Sequence, residues 1–301
     1  MPLFAATRPP PSASARRGGL APLLLLPLLL AAASFLPARG ADAAPHEEAF
    51  LRLWTLHRQA AATSNHLAVA EVCREAARRT GADAGPLLGR YLPAARTIEA
   101  WHLLQAGRAT ESAAAYEAAL AGGMPADPLR GAADAMARRW LSRLDREQVV
   151  AALAAHYREQ VAFPPVLAVF EAWPAARRPP LRDRQGDAWI YQLQAFRRLK
   201  LDGAQRYILY SRSVGRETTA LTAALALRPP ATVVSFVRRG AGSPAVAEIR
   251  IGGTGGRTAV LQEGTRAGGL VFAAIDGAGR FALCSDDDFW LIALPPEGGR
   301  R

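Results

Sequence analysis

From residue 47 to about residue 120 the apolar positions recur at helical spacing. Phe50, Leu53, Trp54 and His57 fall on one face, and Leu67, Ala70, Val72, Cys73 and Ala77 continue it. Thr80-Gly81 closes that helix, and residues 87–91 make a short element stopped by Pro93. Residues 98–106 and 111–121 form a helix pair joined at "AGRAT". A further amphipathic helix covers 129–144, with Met136, Trp140 and Leu144 toward the core, and another follows over 146–157.

After Pro179-Pro180 the period changes. "DRQGD" supplies turn chemistry, with Asp183 and Asp187 at its ends and Gly186 free to take a positive φ. Trp189, Tyr191 and Leu193 then point to one side of a strand, with Ile190 on the other. In a second strand Tyr207 and Leu209 alternate with Ile208 and Tyr210. Aromatic and aliphatic residues make good cross-strand pairs, so a hairpin laid against the preceding helix is expected. The C-terminal third holds six short apolar runs: "TVVSFV", "AVAEIRI", "RTAVLQE", "LVFAAID", "RFALCS" and "FWLIAL". Gly-rich turns and "DDD" separate them, which predicts a small antiparallel β-barrel or sandwich.

The fold class is therefore α+β: an N-terminal helical, repeat-like region, a short α/β hairpin module and a small β-domain. The expected divisions are a leader over 1–43, helices over 44–145, the helix-plus-hairpin module over 146–228, the β-domain over 229–296 and a tail over 297–301. The leader rests on Arg8, Arg16 and Arg17 ahead of an apolar run over 20–36, then Ala41-Asp42-Ala43 as a small-residue cleavage site. It predicts export to the periplasm or beyond, with a mature chain from about Ala44. An uncleaved segment would instead anchor the protein in the inner membrane, which is the one membrane contact expected.

Charge narrows the partners. The formal net charge is +11, and of the 37 basic residues only Lys200 is a lysine. The arginines stand singly or in pairs rather than in a stripe, which argues against a nucleic-acid partner. Cys73 and Cys284 sit in segments of different type and read as small buried side chains. A disulfide is chemically permitted in an exported protein.

Residues that could carry catalysis do not assemble into a motif. "GGTGGR" at 252–257 lacks the Lys-Ser/Thr of a phosphate loop and joins two strands, so it reads as a hairpin turn. "SDDD" at 285–288 reads as a solvated turn. The five histidines, His46, His57, His66, His102 and His156, form no metal-binding or i, i+4 pair. Ser243 in "GAGSPA" lacks the strand–helix setting of a nucleophile elbow. The expectation is a protein that is not an enzyme, with no catalytic, cofactor-binding or metal residues and no cofactor.

Three patterns resemble known families. "AWHLLQAGRATESAAAYEAAL" has the large–small alternation of a tetratricopeptide hairpin, carried by Trp101, Leu104, Ala114, Tyr116 and Leu120, with Gly107 at the turn. Such repeats need about three copies, so an ordinary helical bundle stays open as the alternative. Over residues 148–215 the chain resembles the soluble part of type II secretion pseudopilins. The matching positions are Pro179, Pro180, Asp183, Gly186, Trp189, Tyr191, Tyr207, Leu209 and Ser211. The prepilin cleavage motif of that family is missing, which implies that the chain does not polymerise as a pilin. Its calcium loop is not carried over either, since "RSVGRETT" offers only Glu217.

More faintly, residues 232–295 resemble the small periplasmic β-domain of secretion clamp and pilus assembly proteins, through Ala247, Ile249, Val260, Gly264, Gly269, Val271, Ile275, Phe281 and Leu283. That resemblance implies a domain that folds alone and contacts the periplasmic part of a secretin, with Arg250, Arg257 and Arg266 as candidate partner contacts. The function implied is an exported, non-catalytic component or accessory of a type II secretion or type IV pilus-like system, acting through other cell-envelope proteins. A periplasmic helical-repeat adaptor unrelated to secretion and a cell-envelope hydrolase remain the alternatives.

Overall fold

The structure is a computed structural model and describes residues 53, 55–57, 65–83, 86–121, 127–195, 205–227, 233–239, 246–251, 256–275 and 281–293. All of them belong to one compact unit, residues 42–301. The leader expected over 1–43 and the tail over 297–301 lie outside the described residues.

Helices come first: α1 His66–Asp83, α2 Pro86–Gln105, α3 Ala109–Leu120 and α4 Pro128–Gln160. α2 packs against α1, α3 and α4. Pro93 does not stop a helix; it lies inside α2. A proline there removes a backbone hydrogen bond at a cost of about 3 kcal/mol. Pro93 is itself buried, with Tyr91, Ala94, Ala95 and Ile98, and this tertiary packing outweighs the loss. No helix among the described residues is long and apolar enough to cross a membrane.

The two helices expected over 129–144 and 146–157 are one continuous helix of 33 residues, α4. Asp127 caps its start by accepting from Leu129 N at 3.1 Å, with Pro128 in the first turn where no amide is needed. The hairpin follows as expected: β1 Ile190–Ala195 pairs antiparallel with β2 Gln205–Tyr210, Ile190 opposite Tyr210 and Leu193 opposite Tyr207. A short helix, α5 Leu221–Ala226, then packs on α4.

All six C-terminal runs are strands: β3 Val233–Arg239, β4 Val246–Ile251, β5 Arg257–Gln262, β7 Leu270–Ile275, β8 Ala282–Ser285 and β9 Trp290–Ala293, with a two-residue β6 Arg266–Ala267. They make a three-stranded sheet, β3-β4-β5, and a four-stranded sheet, β6-β7-β8-β9, both antiparallel. No barrel closes. The ladder breaks after β5 at a turn in which Thr265 N donates to Gln262 O at 3.0 Å and Gly264 takes a φ of +86°. A Cβ on Gly264 would lie 3.2 Å from Pro128 Cγ, so this turn seats directly on the start of α4.

The four-stranded sheet is buried on both faces. Phe281, Leu283, Phe289, Trp290 and Ile292 join the helical core formed with Trp101, Met136 and Trp140. Phe272, Ala282, Cys284, Leu291 and Ala293 face the other way and pack with Phe236, Ala247, Ile249 and Leu261 of the three-stranded sheet. Burial on both faces explains why "RFALCS" and "FWLIAL" read as continuous rather than alternating apolar runs. Residues 232–295 cut away from the helices would expose the first of these faces, so the segment shares its core with the rest of the chain. Cys73 lies in the helical core and Cys284 in the inter-sheet core; both are buried and free. Burial pushes the Cys284 thiol up to about 12.

Candidate functional site

α4 is the spine on which the hairpin module is mounted. Its C-terminal half buries Val149, Ala152 and Leu153 against Phe170, Trp189 and Leu209, with Tyr191 and Tyr207 packed at the edge. Polar residues one row round the helix hold the Asp183 turn. Arg138 donates to Arg184 O at 2.9 Å, Ser142 Oγ accepts from Arg184 N at 3.0 Å, and Asp145 takes the Arg184 guanidinium on both oxygens at 2.5 and 3.2 Å. Asp145 is thus an acceptor built into the helix surface, and the helix passes through it without a break.

Within the turn Asp183 is buried and collects four hydrogen bonds. Its Oδ1 accepts from Gln185 N and Asp187 N, both at 2.9 Å. Its Oδ2 accepts from the hydroxyls of Ser211 and Ser213 beyond β2. Burial pushes the Asp183 carboxyl up, and these hydrogen bonds outweigh it and hold the group below its ordinary value of 3.8. Trp189 Nε1 donates to Pro180 O at 2.9 Å and Tyr191 Oη to Pro164 O at 2.8 Å, which fastens β1 to the proline segments before it. The sequence-predicted motif residues Pro179, Pro180, Asp183, Gly186, Trp189, Tyr191, Tyr207, Leu209 and Ser211 therefore belong to one module, with Asp183 as the joint between turn and strand end.

Gly186 takes a φ of +95°, and open space surrounds the position a Cβ would occupy. Gly186→Val should therefore cost backbone strain alone, about 1–3 kcal/mol. For a chain of this size that lowers the melting temperature by roughly 2–4 °C per kcal/mol. A thermal melt of the purified protein checks it, and an unchanged midpoint rejects the turn's role.

The loop after β2 closes on arginine. Arg139 donates to Ser213 O and Val214 O at 3.2 Å, and Arg143 Nε donates to Thr218 O at 2.8 Å. Both guanidinium groups also meet Asp288: Arg143 NH1 is 2.7 Å from Oδ1 as an ion pair, and Arg139 Nε is 3.3 Å from the same oxygen. The "SDDD" run is consequently not a solvated turn. Asp288 is largely buried between these arginines, Asp286 Oδ1 accepts from Phe289 N at 2.7 Å, and Asp287 pairs with Arg266 at 2.6 Å. Arg139 and Arg143 escaped the sequence reading; the available signal was two arginines an i, i+4 step apart flanking the core residue Trp140.

The candidate partner contacts are spread over both sheets. Arg250 is exposed on β4 beside Thr258, and Arg257 is exposed at the start of β5 opposite Ile251. Arg266 lies on the other sheet, where Asp287 takes up its charge. The structure thus brings Arg250 and Arg257 onto neighbouring strands and leaves Arg266 apart. The outer face around Arg250 also exposes Val237 and Val260, which flank Glu248 across the sheet.

Two grooves accompany these surfaces. One of about 570 Å³ runs between α1, α2 and α3, lined by Arg74, Arg78, Arg96, Glu99 and Glu111. Another of about 360 Å³ lies beside β1, lined by Val166, Leu167, Leu181, Arg182, Trp189 and Tyr191. The described sheet containing β1 has two strands, so β1 offers its outer edge beside this groove. No protein-family model, no curated protein and no solved structure matches this chain.

Proposed function

We infer that the protein is an exported, non-catalytic component or accessory of a type II secretion or type IV pilus-like system, working in the periplasm through protein–protein contacts. The observation that carries this reading is the Asp183 joint. One carboxylate ties an Asp-x-x-Gly turn behind a double proline to the serine that ends the second strand, and the aromatic residues between them pack on a long helix. The order of long helix, double proline, Asp-x-x-Gly turn and two strands is the one the pseudopilin resemblance implies for residues 148–215. The groove beside β1 and the outer face around Arg250 are the surfaces such a component presents.

The test is binding of the whole chain to the periplasmic part of a secretin from the same cell, by calorimetry and by association kinetics. The whole chain is required because the β-domain shares its core with the helices. A contact of modest size is expected, burying roughly 1,200 Å². Arg250→Glu combined with Arg257→Glu should slow association about tenfold at low salt, with a smaller change in dissociation. Absence of binding at high micromolar concentration removes the secretion reading.

A helical-repeat adaptor is the second reading, and the groove between α1, α2 and α3 favours it. Crosslinks placed in that groove rather than around Arg250 would capture the partner in that case.

A further inference from the structure

Three histidines with no regular spacing meet at one place. His57 comes from helical residues ahead of α1, His66 opens α1 and His102 lies in the last turn of α2. His57 Nδ1 is 2.8 Å from His102 Nε2, and His102 Nδ1 is 3.0 Å from His66 Nδ1. The ring of His57 also hydrogen-bonds the Trp290 backbone, donating to its carbonyl on β9. That contact sets every proton in the row. With its N–H given to Trp290, the neutral His57 ring accepts at Nδ1, so His102 donates from Nε2. His102 then accepts at Nδ1, and His66 donates from its own Nδ1. One proton per ring satisfies every contact; one added proton can be handed along the row with each contact kept, and a second sets N–H against N–H.

We propose that this row of rings is a proton-released latch. While neutral it fastens the helical residues around His57 and α1 to α2 and β9; protons taken up by the row through its partly exposed end, His66, free that segment while the body built on α4 stays folded. The surroundings offer little to stabilise an added charge. Trp101 of α2 meets His57 and His66 edge-on at 5.6 and 5.7 Å between ring centres. From the β8–β9 side come Phe289, which meets Trp101 edge-on, and Trp290, whose indole donates to Thr97 Oγ1 at 2.8 Å. Among the described residues the charged groups on these elements are engaged elsewhere. Glu99 on α2 takes Arg74 of α1 at 3.0 Å about one helical turn from His102, Glu71 of α1 takes Arg74 and Arg78, and Asp288 in the β8–β9 turn takes Arg143.

Burial holds His57 down to about 4 and His102 to about 2, and it lowers His66 as well, against an ordinary 6.5. An opened segment takes up protons below pH 6.5 that the closed one refuses, so opening is favoured as pH falls from 6.5 and is unaffected above it. Between pH 8 and pH 5 each of the two buried rings raises the opening constant about thirtyfold, and the two together about a thousandfold.

Hydrogen exchange of the full chain, corrected for the intrinsic pH dependence of the amides, reads this directly. Protection over residues 65–83 should fall about a thousandfold from pH 8 to pH 5, while α4 over 128–160 keeps its protection. His102→Gln supplies a donor and an acceptor at the same reach without titrating, and should reduce the change to about thirtyfold. Protection of 65–83 that does not depend on pH overturns the latch. So does an equal loss over 128–160, which would make the row a determinant of global stability only. Should His102→Gln fail to fold, the comparison of the two segments in the unaltered chain still decides.

Discussion

Asp183→Ala should destabilise the protein by about 2–4 kcal/mol, since each hydrogen bond to a charged group contributes about 1.5–3 kcal/mol and water makes good part of the loss. The substitution leaves four donors without their acceptor: the amides of Gln185 and Asp187 and the hydroxyls of Ser211 and Ser213. Each buried donor left unsatisfied costs about 1–3 kcal/mol, and the total stays below the sum because Gln185 and Asp187 are exposed and Ser213 is partly so, which lets their donors turn to water. Asp183→Asn keeps one carbonyl oxygen for the two amides but presents an NH₂ to the two hydroxyls, and should lose about half as much. Denaturant unfolding at pH 7 measures both, as a shift of midpoint at constant slope. Because the folded carboxyl lies below its ordinary value of 3.8, its contribution is present at neutral pH and is lost as pH falls through the folded value. A loss under about 1 kcal/mol would mean that the turn is held by its backbone alone.

The hairpin and its turn were legible because their signals are local. Pro179-Pro180, Gly186 and alternating aromatics each restrict the backbone where they stand, and the structure uses each at its own position. The six β runs were legible for the same reason, being short apolar stretches between glycines. What escaped was set by partners far away in sequence. Pro93 reads as a helix stop until its burial beside Tyr91 and Ile98 is known. Asp145 reads as a break between helices until Arg184, arriving 39 residues later, takes its carboxylate. The three histidines of the latch come from separate helical segments, and no spacing rule joins positions 57, 66 and 102. "SDDD" looks solvated in isolation, since three consecutive acids are seldom buried unpaired. The cations that take Asp288 sit on α4, nearly 150 residues earlier (|i−j| = 149 for Arg139).

That last pairing carries the second large effect. Asp288→Asn should cost about 3–5 kcal/mol, because it leaves the fully buried Arg143 without its counter-charge. Arg143 cannot shed its proton to escape, and Thr218 O and the Trp140 ring, 4.4 Å from its guanidinium carbon, do not replace a carboxylate. Burial pushes the Asp288 carboxyl up, but Arg143 and Arg139 outweigh it and hold the group below 3.8, so the pair is intact at neutral pH and fails only in acid, as pH drops through that lowered value. Arg143→Met together with Asp288→Asn should lose less than the two single changes added, by about 1–3 kcal/mol, since the second change no longer strands a charge. The same arginines hold the carbonyls of Ser213, Val214 and Thr218. Asp288→Asn should therefore also speed hydrogen exchange in the loop over 213–219, although Asp288 lies some 70 residues further along the chain. If that loop exchanges as slowly as in the unaltered protein, the arginines anchor it without help from Asp288, and the hairpin module and the β8–β9 turn are held to α4 independently.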